Sequence, residues 1–124
     1  MAKTFLVIAG ALAALAVLLG AFGAHGLKAK LDPETMALYQ TAVQYHMWHA
    51  LGLAIVALTA LRWPQQMLLR GSGWLMVLGI VFFSGSLYAL ALTKIKILGA
   101  ITPLGGIAFI MAWIMFALAI WKAK

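Results

Sequence analysis

Two histidines three residues apart are the strongest candidates for chemistry in this sequence. His46 and His49 share one face of a helix, because residues at positions i and i+3 are neighbours on a helix surface. A His-x-x-His pair on a helix can ligate a metal ion. A histidine inside a membrane can also carry protons, because it titrates near neutral pH. Three aromatic residues accompany the pair in the sequence, namely Tyr39, Tyr45 and Trp48.

The sequence does not complete a metal site around these histidines. His25 offers a third ligand, but a structural zinc site normally uses four ligands and the chain has no cysteine. The two acidic residues, Asp32 and Glu34, lie in a connection or at a helix start. We therefore expect no metal and no cofactor. The main expectation for the imidazoles is hydrogen bonding to neighbouring backbone or serine groups, which ties helices together.

Further polar groups inside apolar segments extend these residues to a candidate polar cluster. Serines at such positions usually bond to their own helix or to a neighbouring one. None of them has the strand-to-helix turn of a nucleophile elbow, so we expect no enzyme. Besides the histidines, Tyr39 and Tyr45, the cluster includes Ser84, Ser86, Tyr88 and Thr102.

The composition indicates that membrane-spanning helices position these groups. The chain of 124 residues is 66% hydrophobic and 9% charged, whereas soluble domains carry about 25% charged residues. Its net charge of +7 comes from basic residues that flank apolar runs, as they do at the headgroup level of a bilayer. A nucleic-acid-binding protein would gather them on one face. We predict an integral membrane protein whose partner is the lipid bilayer, with no nucleic acid.

Four apolar segments predict an all-α protein with four transmembrane helices in an up-down-up-down bundle. The predicted spans of this single domain are residues 4–24, 33–62, 72–92 and 98–122. A helix over 33–62 is about 45 Å long at about 1.5 Å per residue, which exceeds a hydrocarbon core of about 30 Å. Its first half is therefore expected at the membrane interface.

Capping residues and prolines support three helix boundaries. Asp32 followed by Pro33 predicts the start of the second helix, and Pro64 predicts its end. Thr102 followed by Pro103 predicts a cap and first turn for the last α-helix.

Small residues at helical spacing predict that the helices approach one another closely. In the first span, Gly10 and Ala14 lie on one such face, and Ala16 and Ala24 belong with Gly20 to another. The glycines expected to pack against neighbouring helices are Gly20, Gly23, Gly85, Gly105 and Gly106.

Basic residues bear on the orientation of the chain in the membrane. The side with both termini and the middle loop carries five Lys or Arg residues and the other side carries four. The positive-inside rule therefore favours cytoplasmic termini by a single charge. The first apolar run also resembles a signal peptide, but it has the length of about 18–20 residues that spans a bilayer.

Four short patterns along the chain resemble one family of small membrane proteins. They are GAFGAH at 20–25, YHMWHAL at 45–51, FSGSLY at 83–88 and TPLGG at 102–106. Together they are similar to the YgdD-like small inner-membrane proteins, or domain of unknown function 423. This resemblance covers essentially the whole chain and implies four spans in a bacterial inner membrane without an established activity. It also implies histidine at positions 25 and 49 but more often glutamine at position 46, which favours His49 with His25 as its companion.

These observations lead to two hypotheses about function. The first is a small structural or accessory protein of the cell inner membrane that packs with itself, as a homo-oligomer, or with a larger membrane complex. The alternative is a channel or transporter for a small solute or proton that uses intramembrane His and Tyr groups. No carboxylate lies inside a predicted span, which weighs against a transporter coupled to protons or cations.

Overall fold

The computed structural model describes residues 1–124 and is entirely helical, without strands. Its four helices are α1 (Ala2–Leu27), α2 (Pro33–Arg62), α3 (Met67–Thr93) and α4 (Lys96–Lys122). Helices α1, α3 and α4 are long and apolar enough to cross a membrane. Helix α2 is similarly long, with 30 residues, but the histidines and glutamines of its first half make it less apolar.

The start of α2 follows from local sequence signals. The side chain of Asp32 accepts a hydrogen bond from the backbone N–H of Thr35 at 2.7 Å, and Pro33 occupies the first helical position. This hydrogen bond also holds the pKa of the Asp32 carboxyl below its usual value of 3.8, with a smaller contribution from the charge of Lys94. The helix ends at Arg62, shortly before Pro64.

Helix α3 starts at Met67 rather than at the predicted residue 72, so only Trp63–Gln66 connect it to α2. The charged Arg70 and the poor helix former Gly71 indicate a loop when the sequence is taken alone. Leu69, however, is fully buried, and burial of this side chain favours an additional helical turn at the start of α3.

Thr102 does not cap the last α-helix, which corrects the sequence-based expectation. A 3-10 turn over Lys96–Ala100 opens α4, and the α-helix proper runs over Thr102–Lys122 with Ile101 at its cap position. The hydroxyl of Thr102 instead lies 2.6 Å from the hydroxyl of Ser86 in α3. A contact between helices has thus replaced the local capping bond.

Two helices contain π-helical turns, which accommodate one more residue than an α-helical turn. Helix α1 ends in such a turn over Gly23–Leu27, and α3 contains one in its middle over Ile80–Ser84. The turn in α3 changes which of the later residues of that helix face its neighbours.

The helices pack with α1 against α2, α3 against α4, and α2 against α3. The centre of the core includes the fully buried Leu53, Val56, Leu69 and Met76. Phe5, near the start of α1, packs edge-on against Trp74 in α3 at a ring-centroid distance of 5.3 Å. The start of α1 therefore lies beside the start of α3.

The face of α1 that carries Gly10 and Ala14 does not pack against another helix. A side chain at position 10 would meet open space, and Ala14 is exposed. The buried face instead includes Phe5, Ala9 and Ala16. The ring of Phe5 sets this rotation, because it occupies the space that a side chain at Gly73 would need.

Candidate functional site

His49 is hydrogen-bonded through both of its ring nitrogens. Its Nδ1 lies 2.7 Å from the carbonyl oxygen of Tyr45, and its Nε2 accepts the indole N–H of Trp113 in α4 at 3.1 Å. A carbonyl can only accept and an indole can only donate, so these partners fix a neutral imidazole with its proton on Nδ1. The side chain therefore joins α2 to α4 and has no free lone pair for a metal ion.

Aromatic rings surround His49 and exclude water from it. Its ring stacks on Phe109 with centroids 3.5 Å apart and planes 13° apart, and it lies nearly parallel to Tyr45 at 5.9 Å. Tyr45 in turn contacts Phe83 of α3, with centroids 4.5 Å apart. His49 is only 6% exposed. Rings from three helices thus meet at this histidine.

His46 points to a different neighbour, so the two histidines do not form a pair. Its Nδ1 lies 2.8 Å from the phenol oxygen of Tyr88 in α3. Its Nε2 is buried and has no hydrogen-bond partner, although the backbone carbonyl of Leu12 in α1 lies nearby. His46 is 1% exposed. It is therefore the buried histidine with an unused ring nitrogen.

Tyr39 connects the first turns of α2 to the end of α1 through a hydrogen bond. Its phenol donates a hydrogen bond to the backbone carbonyl of Leu19. Its ring lies against Gly23, where any larger residue would collide with it, and 5.4 Å from the ring of Tyr88. Tyr39 is 1% exposed, so the phenol bond lies between packed helices.

Serine hydroxyls of α3 connect this helix to α2 and to α4. Ser84 donates to the carbonyl of Ala42 in α2 at 2.8 Å, and Ser72 donates to the carbonyl of Ala112 in α4 at 2.7 Å. Ser86, whose hydroxyl also lies 3.0 Å from the carbonyl oxygen of Phe83, contributes the contact to Thr102. Together with the hydrogen bonds of Tyr39, His46 and His49, these contacts join the helices inside the bundle.

His25 lies apart from the other candidate residues. It is exposed in the π turn at the end of α1 and makes no side-chain hydrogen bond. The expectation that it is the companion of His49 is wrong, because Tyr45 and Trp113 occupy both nitrogens of His49.

Three residues of the site are not among the sequence-based candidates, namely Trp113, Phe109 and Ser72. The position of Trp113 in the sequence does indicate a polar partner. Tryptophan in membrane proteins is concentrated at the two interfaces, whereas this one lies in the middle of an apolar run. A buried indole N–H usually has an acceptor, so a tryptophan at that depth predicts a polar partner such as His49.

The five glycines expected to mediate packing differ in how closely their neighbours approach. At Gly105 the nearest atoms belong to the backbone of Phe83, and at Gly23 they belong to the ring of Tyr39. A side chain at Gly20 would make an ordinary contact with Val43, as would one at Gly106 with Phe83. Around Gly85 only the carbonyl of Ile80, in the same helix, comes within 4 Å. Of these five glycines, Gly105 is therefore the one at which the backbone of a neighbouring helix comes closest.

Most of the residues described above lie in a segment that matches a known protein family. The family described as "Protein of unknown function (DUF423)" matches residues 19–106. The chain belongs to this family. The matched range contains all three histidines, the π turn of α3 and the contact at Gly105, while Trp113 lies beyond it.

Similar proteins include several small membrane proteins from bacteria. The UPF0382 membrane protein YwdK of Bacillus subtilis is 54% identical over 117 residues, which cover 94% of this chain and 95% of that protein. The UPF0382 membrane protein SH2409 of Staphylococcus haemolyticus is 46% identical, with 97% of each chain covered. No solved structure matches the chain. The protein is thus an all-helical member of a family of small membrane proteins of unknown function.

Proposed function

We propose that this protein is a small structural or accessory protein of the cell inner membrane, which acts through helix packing with itself or with a larger membrane complex. One observation carries the proposal: the polar side chains inside the bundle are used to join its own helices. Tyr39 links α2 to α1, His46 links α2 to α3, and His49 links α2 to α4. Such contacts make a rigid bundle and leave few groups free for chemistry.

In this proposal α2 also crosses the membrane, which gives four spans in up-down-up-down order. Its connections are short, with residues 28–32 before it and 63–66 after it. Its first turns contact the end of α1, and its centre packs against α3 at Met76 and Ser84. Both termini would then lie on one side, which we assign to the cytoplasm from the basic residues. The half-polar start of α2 would lie in the interface, as its length requires.

The outer surface of the bundle supports a packing role. Large apolar side chains are more than half exposed on several helices, including Leu18 on α1, Leu58 on α2 and Ile110 on α4. In a bilayer such faces contact lipid tails or other helices, and helix association there depends on close packing and buried hydrogen bonds.

The assembly can be tested in native membranes, because the chain has no cysteine. Single cysteines at Leu18, Leu58 and Ile110 should give a cross-linked homodimer or a cross-link to one defined protein, from at least one of these faces. A cysteine at the buried Ala57 should give none and serves as the control. A strictly monomeric protein without a partner in native purification would refute the proposal.

The crossing of α2 can be tested separately by cysteine labelling from each side of the membrane. Cysteines at Lys3 and Gln65 should react from the cytoplasmic side, and cysteines at Lys30 and Lys94 from the opposite side. If Gln65→Cys and Lys30→Cys react from the same side, α2 does not cross.

A second candidate function is a pathway for protons or a small solute through the bundle. The specific observation in its favour is the unpartnered Nε2 of His46, buried beside Tyr88 and close to a carbonyl of α1. Liposomes with the reconstituted protein and an internal pH dye should then show proton flux that decreases in His46→Gln. His49→Ala provides the comparison at the fully bonded histidine. Flux equal to that of empty liposomes in all three cases would exclude this candidate.

A further inference from the structure

Three basic residues surround one surface cavity where α2 and α4 end. The cavity has a volume of about 370 Å³ and is lined by Arg62, Lys122 and Lys124, together with the loop residues Gln65 and Gln66. No acidic side chain lines it. The two carboxylate side chains of the protein lie near the start of α2, at the opposite end of that helix. The positive charge around the cavity is therefore not neutralised by acidic side chains.

The loop between α2 and α3 holds these groups in a defined arrangement. The backbone N–H of Gln66 donates to the carbonyl of Trp63 at 3.1 Å, and its side-chain amide donates to the carbonyl of Ala119 in α4 at 3.4 Å. The guanidinium of Arg62 lies over the ring of Trp63, 5.7 Å from its centroid. The loop thus connects the end of α2 to the end of α4, and Arg62 lines the same cavity as the two lysines.

The side chains at this end match the headgroup level of a membrane. Trp63 borders the cavity, and Trp121, next to Lys122, is 87% exposed. Tryptophan and basic residues both concentrate at the interface. A guanidinium offers two parallel N–H donors to a phosphate, lysines add charge, and glutamine amides can complete its hydrogen bonds.

We propose that this cavity binds the phosphate group of an anionic phospholipid. The inference goes beyond the proposed packing function but rests on the membrane crossing of α2 and α4. The phosphodiester would lie between Arg62 and the two lysines, with its acyl chains along the apolar outer faces of α2 and α4. Lipid bound there would add a second link between these ends of α2 and α4, beside the hydrogen bond from Gln66 to Ala119.

The site can be tested by native mass spectrometry of the purified protein with phosphatidylglycerol and with phosphatidylcholine of the same acyl chains. Phosphatidylglycerol should bind more tightly. Each basic residue near the surface contributes about 1 kcal/mol, or about fivefold in affinity. Arg62→Gln should therefore weaken binding about fivefold, and the triple variant with Lys122→Gln and Lys124→Gln on the order of 100-fold. Arg62→Lys keeps the charge and should weaken binding less than Arg62→Gln.

A matched control removes the same charge from the opposite end of the bundle. The triple variant Lys28→Gln, Lys30→Gln and Lys94→Gln should retain wild-type affinity for phosphatidylglycerol. Equal losses in both triple variants would show diffuse attraction to surface charge and overturn the proposal. Competition by millimolar inorganic phosphate, with no preference between the two lipids, would identify free phosphate as the ligand and overturn it as well.

The same spectra separate this inference from the proposed packing function. They report the number of protein copies and the number of bound lipids in each particle. Oligomers without preferential phosphatidylglycerol would refute the lipid site alone, while monomers that bind the lipid would refute self-association alone. Circular dichroism verifies that each variant is folded, and Arg62→Lys still tests the site if the triple variant fails to fold.

Discussion

Replacement of Gly105 by alanine is the sharpest test of how closely α3 and α4 approach. A methyl group at this position would lie 2.7 Å from the Cα and 2.6 Å from the Cβ of Phe83, and nearer still to its backbone nitrogen. Ordinary contacts begin at 3.4 Å. Because the obstacle is backbone, no side-chain rotation relieves it, and the helices must separate by about 1 Å at this point to restore an ordinary contact with the backbone nitrogen.

The expected cost follows from what such a separation disrupts. Overpacking of a close-packed interior typically costs about 1–3 kcal/mol. The hydroxyl contact between Ser86 and Thr102, 2.6 Å long, lies one turn from Gly105 and would be stretched, and hydrogen bonds between membrane helices are worth about 0.6 kcal/mol on average. Alanine favours the helix by up to about 1 kcal/mol relative to glycine. We therefore expect Gly105→Ala to reduce the free energy of unfolding by about 2 kcal/mol.

Gly106→Ala is the matched control, because it makes the same chemical change one residue away. Its methyl group would lie 3.8 Å from a ring carbon of Phe83, which is an ordinary contact, so the variant should be as stable as wild type or slightly more stable. Unfolding in mixed micelles of increasing dodecyl sulfate content, followed by far-ultraviolet circular dichroism, measures both. If Gly105→Ala unfolds at the same detergent fraction as Gly106→Ala, the close approach of the two helices is refuted.

Three further predictions concern single polar groups. Ser72→Ala removes a buried hydrogen bond between α3 and α4 and should cost about 0.6–1.7 kcal/mol in the same unfolding titration. Thr59→Val removes a bond within α2 only and should change stability little; equal losses would contradict the role of helix-to-helix bonds. Trp113→Phe deprives the Nε2 of His49 of its donor, and a double-mutant cycle with His49→Phe should give a coupling energy of about 1 kcal/mol, whereas zero coupling would contradict the bond. The pKa of Asp32 is lower in the folded protein than its usual 3.8, so its stabilisation is complete above the usual pKa and is lost as the pH falls through the folded value. The melting temperature should therefore decrease as the pH falls below about 5, and Asp32→Asn should reduce this decrease; equal decreases in both proteins would contradict the cap.

The sequence predicted features that depend on neighbouring residues more successfully than features that depend on distant ones. The bounds of α2 follow from Asp32, Pro33 and Pro64, each of which acts within a few residues of its own position. The start of α3 lies earlier than the sequence predicts, because the polarity of Arg70 is visible in the sequence while the burial of Leu69 depends on the packed core. The sequence predicts a local cap at Thr102, but the Thr102 hydroxyl contacts Ser86, 16 residues earlier in the chain.

The candidate site shows the same difference between features set by neighbouring residues and features set by distant ones. The spacing of His46 and His49 correctly places both on one helix, but their partners depend on how the helices are rotated against each other. Trp113 is 64 positions from His49, and no local pattern specifies that distance. The separation of the two histidines into contacts with different helices could therefore be recognised only from the packed structure.

The π turn in α3 lets this helix contain one additional residue without changing the face on which its later residues lie. Met76 and Ser84 both face α2, although eight residues of regular α-helix, at about 100° each, would leave them about 80° apart. The additional residue of the π turn compensates for this difference. Deletion of one residue from Ile80–Phe83 would remove the π turn and place Ser84 seven residues after Met76 in a regular helix, about 700° around it, so that both would still face α2. We expect single-residue gaps among relatives to fall at this turn, because a deletion elsewhere in α3 would rotate every later residue by about 100°.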